Sequence, residues 1–290
     1  MTSAMLEDGP VELSGKLASL HAALASYDGV VVAFSGGADS AFLLARAADV
    51  LGATRVVAAT AVSPSLPAVE LDHAREIAAS LGVAHHLPRT DEMSREGYRA
   101  NAGDRCFFCK AELLDTLRPL ADSLGIATVA TGTNADDARG GFRPGIRAAA
   151  ERRAVTPLLD AGLTKADVRA ASRAAGLPTW DKPAAACLSS RVAYGIEITS
   201  ARLSRVERAE AAVRRWLADQ DLATHDLRVR DLGDVARVEV DAALVPDLVA
   251  RSDEVGRVLG EVGFPAVEVD PAGFRSGAMN ELLVDAERWR

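Results

Sequence analysis

The sequence predicts an α/β fold: a doubly wound parallel sheet over the first two thirds of the chain, followed by a smaller C-terminal α+β domain. Through about residue 190, short β-branched runs alternate with helix-period segments, the pattern of parallel strands joined by crossover helices. From about Ser200 the pattern changes to one long Arg/Ala/Glu helix and then "LRVRDLGDVARVEV", which alternates around a Gly-Asp turn as a hairpin does. At 290 residues with 49% hydrophobic side chains, the chain is long enough for two cores.

The elements follow in order. Leu13 to Tyr27 reads as a helix, Gly29 to Phe34 as a strand, Ser40 to Leu51 as a helix, Arg55 to Ala61 as a second strand, Pro67 to Leu81 as a helix and Ala84 to Pro88 as a third strand. Cys109 to Leu124 is helical, Ala127 to Thr131 a strand, and Thr164 to Ala175 a helix closed by Gly176 and Pro178. After the hairpin come a further helix, a strand near Ala266 to Val269 and the tail "GFRSGAMNELL". The expected domains are 1–195 and 196–290.

The stretch "VVAFSGGADSAFLLARA", residues 31 to 47, is a strand, a Gly-containing turn and a helix start. Unpaired amides and the dipole at a helix start attract anions, and glycine lets a phosphate approach the backbone. The turn lacks the lysine of GxxxxGK[ST] and the third glycine of GxGxxG, so neither of those loops describes it. "SGGADS" instead resembles the SGGxDS signature of the PP-loop pyrophosphatases, which split ATP to pyrophosphate and an adenylate. The resemblance implies that Ser35, Gly36, Gly37 and Ser40 bind pyrophosphate oxygens and that Asp39 holds Mg²⁺. Ala33, in the strand beneath them, is a further candidate for contact with the nucleotide. In a doubly wound sheet the ligand lies beyond the carboxyl ends of the strands, which makes Thr60 and Ser63, after the second strand, candidates for the adenine edge. "ATGTNADD" follows another strand at the same end and resembles the second PP-loop marker, implying that Gly132, Thr133, Asn134 and Asp136 meet nucleotide or metal.

A net charge of −8 argues against a protein whose main task is gripping nucleic acid. The first ten residues lack the layout of a secretory leader and no run approaches the ~20 apolar residues of a membrane span, so the expected location is cytoplasmic, with no membrane partner. Three cysteines, an odd number, fit thiol or metal chemistry better than a secreted disulfide framework. Cys106 and Cys109 have CxxC spacing, which serves a redox pair, zinc or an iron–sulfur cluster. Cys187 lies in a Pro-containing loop beside the donors Ser189, Ser190 and Arg191.

Taken in order, "SGGADSAFLL", "RCFFCK", "GTNADD" with "RPG", "WDKPAAACLSSRVAYGIEIT", "ARVEV" and "GFRSGAMNE" resemble the LarE-type sulfur transferases, over roughly Val31 to Glu281. The resemblance implies adenylation, by ATP, of a carboxylate of pyridinium-3,5-biscarboxylic acid mononucleotide. A thiocarboxylate for a nickel-pincer cofactor then forms through Cys187, with Ser190 and Arg191 beside it. In some members that cysteine gives up its own sulfur; in others three cysteines carry a [4Fe-4S] cluster. The presence of Cys106 and Cys109 favours the cluster form here. Arg230 and Arg237, with Arg228, are candidates for the substrate's phosphate and second carboxylate, and Glu197 for lining the site. Trp180 and Tyr194 are candidates for stacking on a pyridinium ring. A PP-loop tRNA thiolase would share the ATP chemistry but needs a broad positive surface. The expected partners are therefore a small-molecule nucleotide and, from the family, further copies of the chain in a homo-oligomer.

Overall fold

The computed structural model describes residues 8–139, 144–183, 186–275 and 277–283. Of the stretches quoted above, residues 140–143 before Pro144, Ala184 and Ala185 in the cysteine loop, and Ser276 in the tail lie outside the described residues. In chain order the first elements are α1 (Asp8–Ala25), β1 (Val30–Ala33), α2 (Ala38–Leu51), β2 (Val56–Ala59), α3 (Ala68–Ser80) and β3 (Ala84–His86). Then come α4 (Glu96–Arg99), α5 (Arg105–Ser123), β4 (Thr128–Thr131), α6 (Ala135–Arg139), α7 (Pro144–Glu151), α8 (Pro157–Asp160) and α9 (Lys165–Ala174). The last are α10 (Ser200–Asp219), β5 (Leu227–Asp231), β6 (Val235–Val240), α11 (Val245–Ala250), α12 (Ser252–Val262) and β7 (Ala266–Val269).

The first sheet is parallel throughout, in the order β3-β2-β1-β4. Its central strands, VVVA and VVAA, are buried along their whole length, as a sheet covered on both faces requires. Alternation sends the two halves of each strand to different cores. Val30, Val32, Val56 and Ala58 pack with Leu20 and Leu24 of α1 and the apolar face of α2, while Val31, Ala33, Val57 and Ala59 pack with Leu114, Leu117 and Ala121 of α5. This is the α/β arrangement the strand-helix alternation predicts. Among the described residues no helix is long and apolar enough to cross a membrane.

A second, mixed sheet has the order β5-β6-β7, antiparallel then parallel. Val229, Val238 and Val240 put its apolar face against Val213 and Leu217 of α10 and Val255 and Leu259 of α12. By internal contacts the chain forms two compact units. The first takes Met1–Ser63, Ala68–Asp91 and Cys106–Ala185, and the second takes Pro64–Pro67, Glu92–Arg105 and Ala186–Arg290. Residues 186–195, assigned to the N-terminal domain from sequence, cluster with the second unit. So do two short stretches before residue 106, and the backbone shows why. Leu188 N–H donates to Ser65 O at 2.9 Å, and the buried Asn101 amide donates to Ala193 O at 2.8 Å and Ile196 O at 2.9 Å.

Asp231, at the end of β5, is wholly buried between Arg202 (2.9 Å) and Arg205 (2.7 Å) of α10, and it also accepts Gly233 N–H at 2.9 Å. Removing one member of a buried ion group strands the others, at about 3–5 kcal/mol. Asp231→Ala should therefore lower the urea-extrapolated stability by about 3 kcal/mol; loss of less than about 1 kcal/mol would show that the carboxylate is better solvated than its burial says.

Candidate functional site

The chain runs from β1 to β2 and β3 on one side, then returns across the sheet to β4 on the other side of β1. Beyond the carboxyl ends of β1 and β4 the strand order reverses, and such a crevice is where open α/β sheets bind ligands. The two motif-bearing loops leave from these two strands: Ser35 to Gly37 after β1, and Gly132 to Asn134 after β4.

The loops meet backbone to backbone. A Cβ added at Gly132 would lie 2.9 Å from Ser40 N, 3.0 Å from Ser40 Cα and 3.1 Å from Asp39 C, so only glycine lets the second loop rest on the start of α2. Gly36 has φ +70°, and Ala74 of α3 fills the space behind it. Ser40 Oγ donates to Gly37 O (3.2 Å), accepts Ser35 N–H (3.3 Å) and lies 3.1 Å from Ser35 Oγ. With the Ser40 proton spent on a carbonyl, the Ser35 hydroxyl is the donor of that pair. Gly37, the N-cap of α2, supplies no side-chain cap, whereas α9 begins with a full Thr164/Asp167 capping box. The first amides of α2 thus lack a side-chain acceptor, the condition under which a helix start binds an anion.

Asp39 sits in that first turn, half-buried. Burial raises its pKa above the ordinary 3.8 and Asp137 adds to the rise, while Asn134, Lys165 and Arg169 oppose it. Asn134 caps α6 by accepting Asp137 N–H at 3.1 Å, and its buried Nδ2, though directed toward Asp39, completes no full hydrogen bond among the described residues. A desolvated carboxylate with a second carboxylate nearby is chemistry that fits a hard divalent cation. Asp136, by contrast, accepts Lys165 N–H at 2.8 Å and lies 3.6 Å from Arg139, so its carboxylate is engaged on the α6–α9 side. Thr133 Oγ1 pairs with Thr131 Oγ1 at 3.0 Å.

Thr60 is buried rather than poised at an open edge. Its hydroxyl donates to Phe34 O at 2.7 Å and stands 2.8 Å from His85 Nε2. One hydroxyl proton cannot serve both, so His85 donates to Thr60, and the relay holds the residue before Ser35. Burial, with Arg75 and His86 nearby, lowers the His85 pKa below 6.5 and favours its neutral ring. Ser63 lies beyond the end of β2, half-exposed.

Cys106 and Cys109 stand in the first turn of α5, one exposed and one half-buried. They share a helix face with Lys110 close by, whose pKa falls below 10.5 through burial, opposed by Cys109, Cys106 and Asp137. Cys187 belongs to the second unit. Among the described residues no group of three or more His, Cys, Asp or Glu is arranged to hold a metal ion.

Around Cys187 the backbone is firmly held. Its carbonyl accepts Ser190 N–H (3.0 Å), Ser190 Oγ–H (2.7 Å) and Arg191 Nη1–H (3.0 Å), while Arg191 also donates to Ala186 O. Arg191 pairs with Glu210 at 2.9 Å. In the same unit the polar face of the hairpin carries Arg228, Arg230 and Glu239, each less than a tenth exposed. Arg230 pairs with Glu239 at 2.6 Å and donates to Ser190 O at 3.3 Å, yet its Nε is buried with no acceptor among the described residues. Burial, then Arg191, lowers the Arg228 pKa below the usual arginine range. Three buried guanidiniums, Arg191, Arg228 and Arg230, gather here with Glu210 and Glu239 around them, a set of planar donors of the kind that binds anionic oxygens. Arg237 shares that face but is paired with Glu268 at 2.6 Å near the surface. Glu197 is exposed, 3.8 Å from Arg99. The Trp180 ring lies under Arg173 (4.8 Å) and the Tyr194 ring under Arg105 (5.5 Å), so each already has a cation on its face.

No protein-family model matches the chain. An uncharacterized protein of Synechocystis sp. is 43% identical over 93% of this chain and 99% of its own length. The pyridinium-3,5-bisthiocarboxylic acid mononucleotide synthase of Lactiplantibacillus plantarum is 36% identical over 95% of this chain and 97% of its own length. The chain belongs to the LarE family of sulfur transferases. It is thus an enzyme of the LarE family. Sequence reasoning placed the glycines of its loops and its cysteines, but passed over Glu210, Glu239, His85 and Lys182. Buried carboxylates and a lone histidine carry no motif; their roles appear only when a distant partner is seen.

A carboxyl whose native pKa is raised binds its proton more tightly when folded, so its ionised form opposes folding at neutral pH. Asp39→Asn should raise the melting temperature at pH 7 by roughly 1–3 °C. The gain should shrink as pH falls through the native pKa of Asp39, where both side chains are neutral. Thermal melting with and without Mg²⁺ and ATP should show a stabilisation in wild type that Asp39→Asn lacks; a variant stabilised as much as wild type would show that Asp39 does not hold the cation.

Proposed function

We propose that the chain is an ATP-dependent sulfur transferase of the PP-loop kind that adenylates a carboxylate of pyridinium-3,5-biscarboxylic acid mononucleotide and converts it to a thiocarboxylate for nickel-pincer cofactor assembly. The observation that carries this reading is the close approach of the Gly132–Asn134 loop to the first turn of α2, just after the Ser35–Gly37 loop at the topological switch point, beside the uncapped helix start and the desolvated Asp39. The 36% identity to the Lactiplantibacillus plantarum synthase supports the choice of substrate.

A carboxylate is a poor electrophile. Its oxygen attacks the α-phosphorus of ATP, the bond to pyrophosphate breaks, and the mixed anhydride with AMP has a good leaving group. The amides at the start of α2 receive the pyrophosphate oxygens, and the Ser35 hydroxyl joins them by turning its one proton away from Ser40 Oγ. Asp39 would hold Mg²⁺, which when bound neutralises part of the leaving group's charge. In the second unit, Arg228, Arg230 and Arg191 are the guanidinium donors available to the substrate's phosphate and second carboxylate. A thiolate, for which Cys187 in its backbone-locked turn is the candidate, then attacks the acyl carbonyl and AMP leaves.

The sulfur comes either from Cys187 itself, whose Cβ–Sγ bond then breaks with loss of the Cα proton to free the thiocarboxylate and leave dehydroalanine, or from a [4Fe-4S] cluster that Cys106, Cys109 and Cys187 would hold and that would supply sulfide; the count of three thiols supports the second. A homo-oligomer in the cytoplasm is part of the same reading, and light scattering tests the first half of it.

Pyrophosphate release in the presence of ATP, Mg²⁺ and the pyridinium dicarboxylate should proceed in wild type. In Cys187→Ala it should stay within a few-fold while thiocarboxylate formation stops. No nucleotide-dependent pyrophosphate release by wild type would sink the reading. Anaerobic reconstitution with iron and sulfide, read by absorbance and EPR, separates the sulfur sources. Without a cluster, mass spectrometry should show Cys187 losing one H₂S per turnover.

A further inference from the structure

Lys182 stands in the "WDKP" turn that leaves α9, a stretch to which the chemistry above gives no role. The turn is pinned by α9: Arg169 donates to Lys182 O at 2.9 Å and to Trp180 O at 3.2 Å. From there the Lys182 ammonium reaches two acceptors far away in sequence, Glu70 Oε2 at 2.7 Å and the carbonyl oxygen of Gly36 at 3.1 Å. Lys182 and Glu70 keep only 15% and 18% of their side-chain exposure, so the tie is largely shielded from water.

Glu70 and Ala74 lie one turn apart on α3, and so on one face of it. Ala74 backs Gly36 from behind, and Glu70 holds the lysine that grips its oxygen. A trans peptide is planar with its C=O and N–H antiparallel, so fixing the Gly36 oxygen also fixes where the Gly37 N–H points. That N–H makes only a long contact of 3.4 Å to Ser35 Oγ, one weak enough for an anionic oxygen to replace.

We propose that Lys182, held by Glu70, is a positioning residue of the phosphate loop: it sets the plane of the Gly36–Gly37 peptide and so aims the Gly37 amide at the pyrophosphate leaving group. This rests on the ATP-splitting reading above. It assigns Lys182 to the loop backbone, not to direct contact with phosphate.

The test combines Lys182→Met, Lys182→Arg and Glu70→Gln with two readouts. The first needs no turnover: hydrogen exchange of the peptide covering 34–40, with and without inorganic pyrophosphate and Mg²⁺. Lys182→Met should exchange faster at 34–40 and lose the protection pyrophosphate gives wild type, while the rest of the first unit exchanges as before. The second is steady-state pyrophosphate release. There kcat should fall on the order of 10²-fold, the usual cost of one misplaced anion donor, with the KM for ATP changed only a few-fold. Lys182→Arg should recover part of the kcat. Glu70→Gln should also lower kcat; a lower KM for ATP in that variant would mean that a freed Lys182 binds phosphate directly, and would overturn the proposal. Unchanged exchange at 34–40 in Lys182→Met overturns it too, as does faster exchange across the whole first unit, which would make the tie merely structural. If wild type releases no pyrophosphate, the functional reading fails, and the exchange data still decide whether Lys182 orders the loop.

Discussion

The candidate site depends on one close approach of backbone to backbone. Gly132 lies against Asp39 and Ser40 where no Cβ fits, and that contact brings the loop after β4 onto the first turn of α2. Everything in the crevice follows from it. Asn134 comes to face Asp39, Asp137 raises the pKa of Asp39 further, and the uncapped amides of α2 open onto the same space. The contact is possible because β1 and β4 are adjacent and parallel, with Val30 opposite Thr128 and Ala33 opposite Thr131, so their loops emerge at one level. A larger residue at position 132 would have to push one loop away from the other.

The second unit works by a different principle, which is charge buried under constraint. On one face of β5 and β6 the apolar residues make an ordinary core with α10 and α12. On the other, Arg228, Arg230 and Glu239 are removed from water together, and Arg191 with Glu210 joins the same electrostatic neighbourhood. Such groups are costly unless their donors are satisfied; Arg230 is paired with Glu239, but its Nε has no acceptor among the described residues. The positions Arg228 and Arg230 were visible in the alternation of the strand; that they are buried rather than solvated was not.

Local sequence signals described the fold well because they act over short range. β-branched runs of four or five residues form the strands within a residue or two of where the pattern puts them, and the SGGADS turn begins a helix as its glycines and Asp39 imply. The short helices between β4 and α9 were not foreseen, since elements of four to eight residues show little periodicity. The grouping of 64–67 and 92–105 with the C-terminal unit was equally hidden, because it rests on Asn101 and Ser65 bonding to backbone nearly a hundred residues on or more.

What the sequence by itself determined is the chemistry on offer: a glycine turn able to receive phosphate, a carboxylate beside it, three thiols, and strand arginines. These depend on residue type and spacing along a few turns of chain, which a single sequence displays directly. The tertiary structure decided which of these groups are free and which are spent. Thr60 is taken by Phe34 O and His85, Asp136 by Lys165, Arg237 by Glu268, while Asp39 is left desolvated and Lys182 is drawn to the carbonyl of Gly36. Burial and pairing are properties of neighbours 25 to 146 residues apart, and only the folded chain brings such neighbours within 3 Å or so.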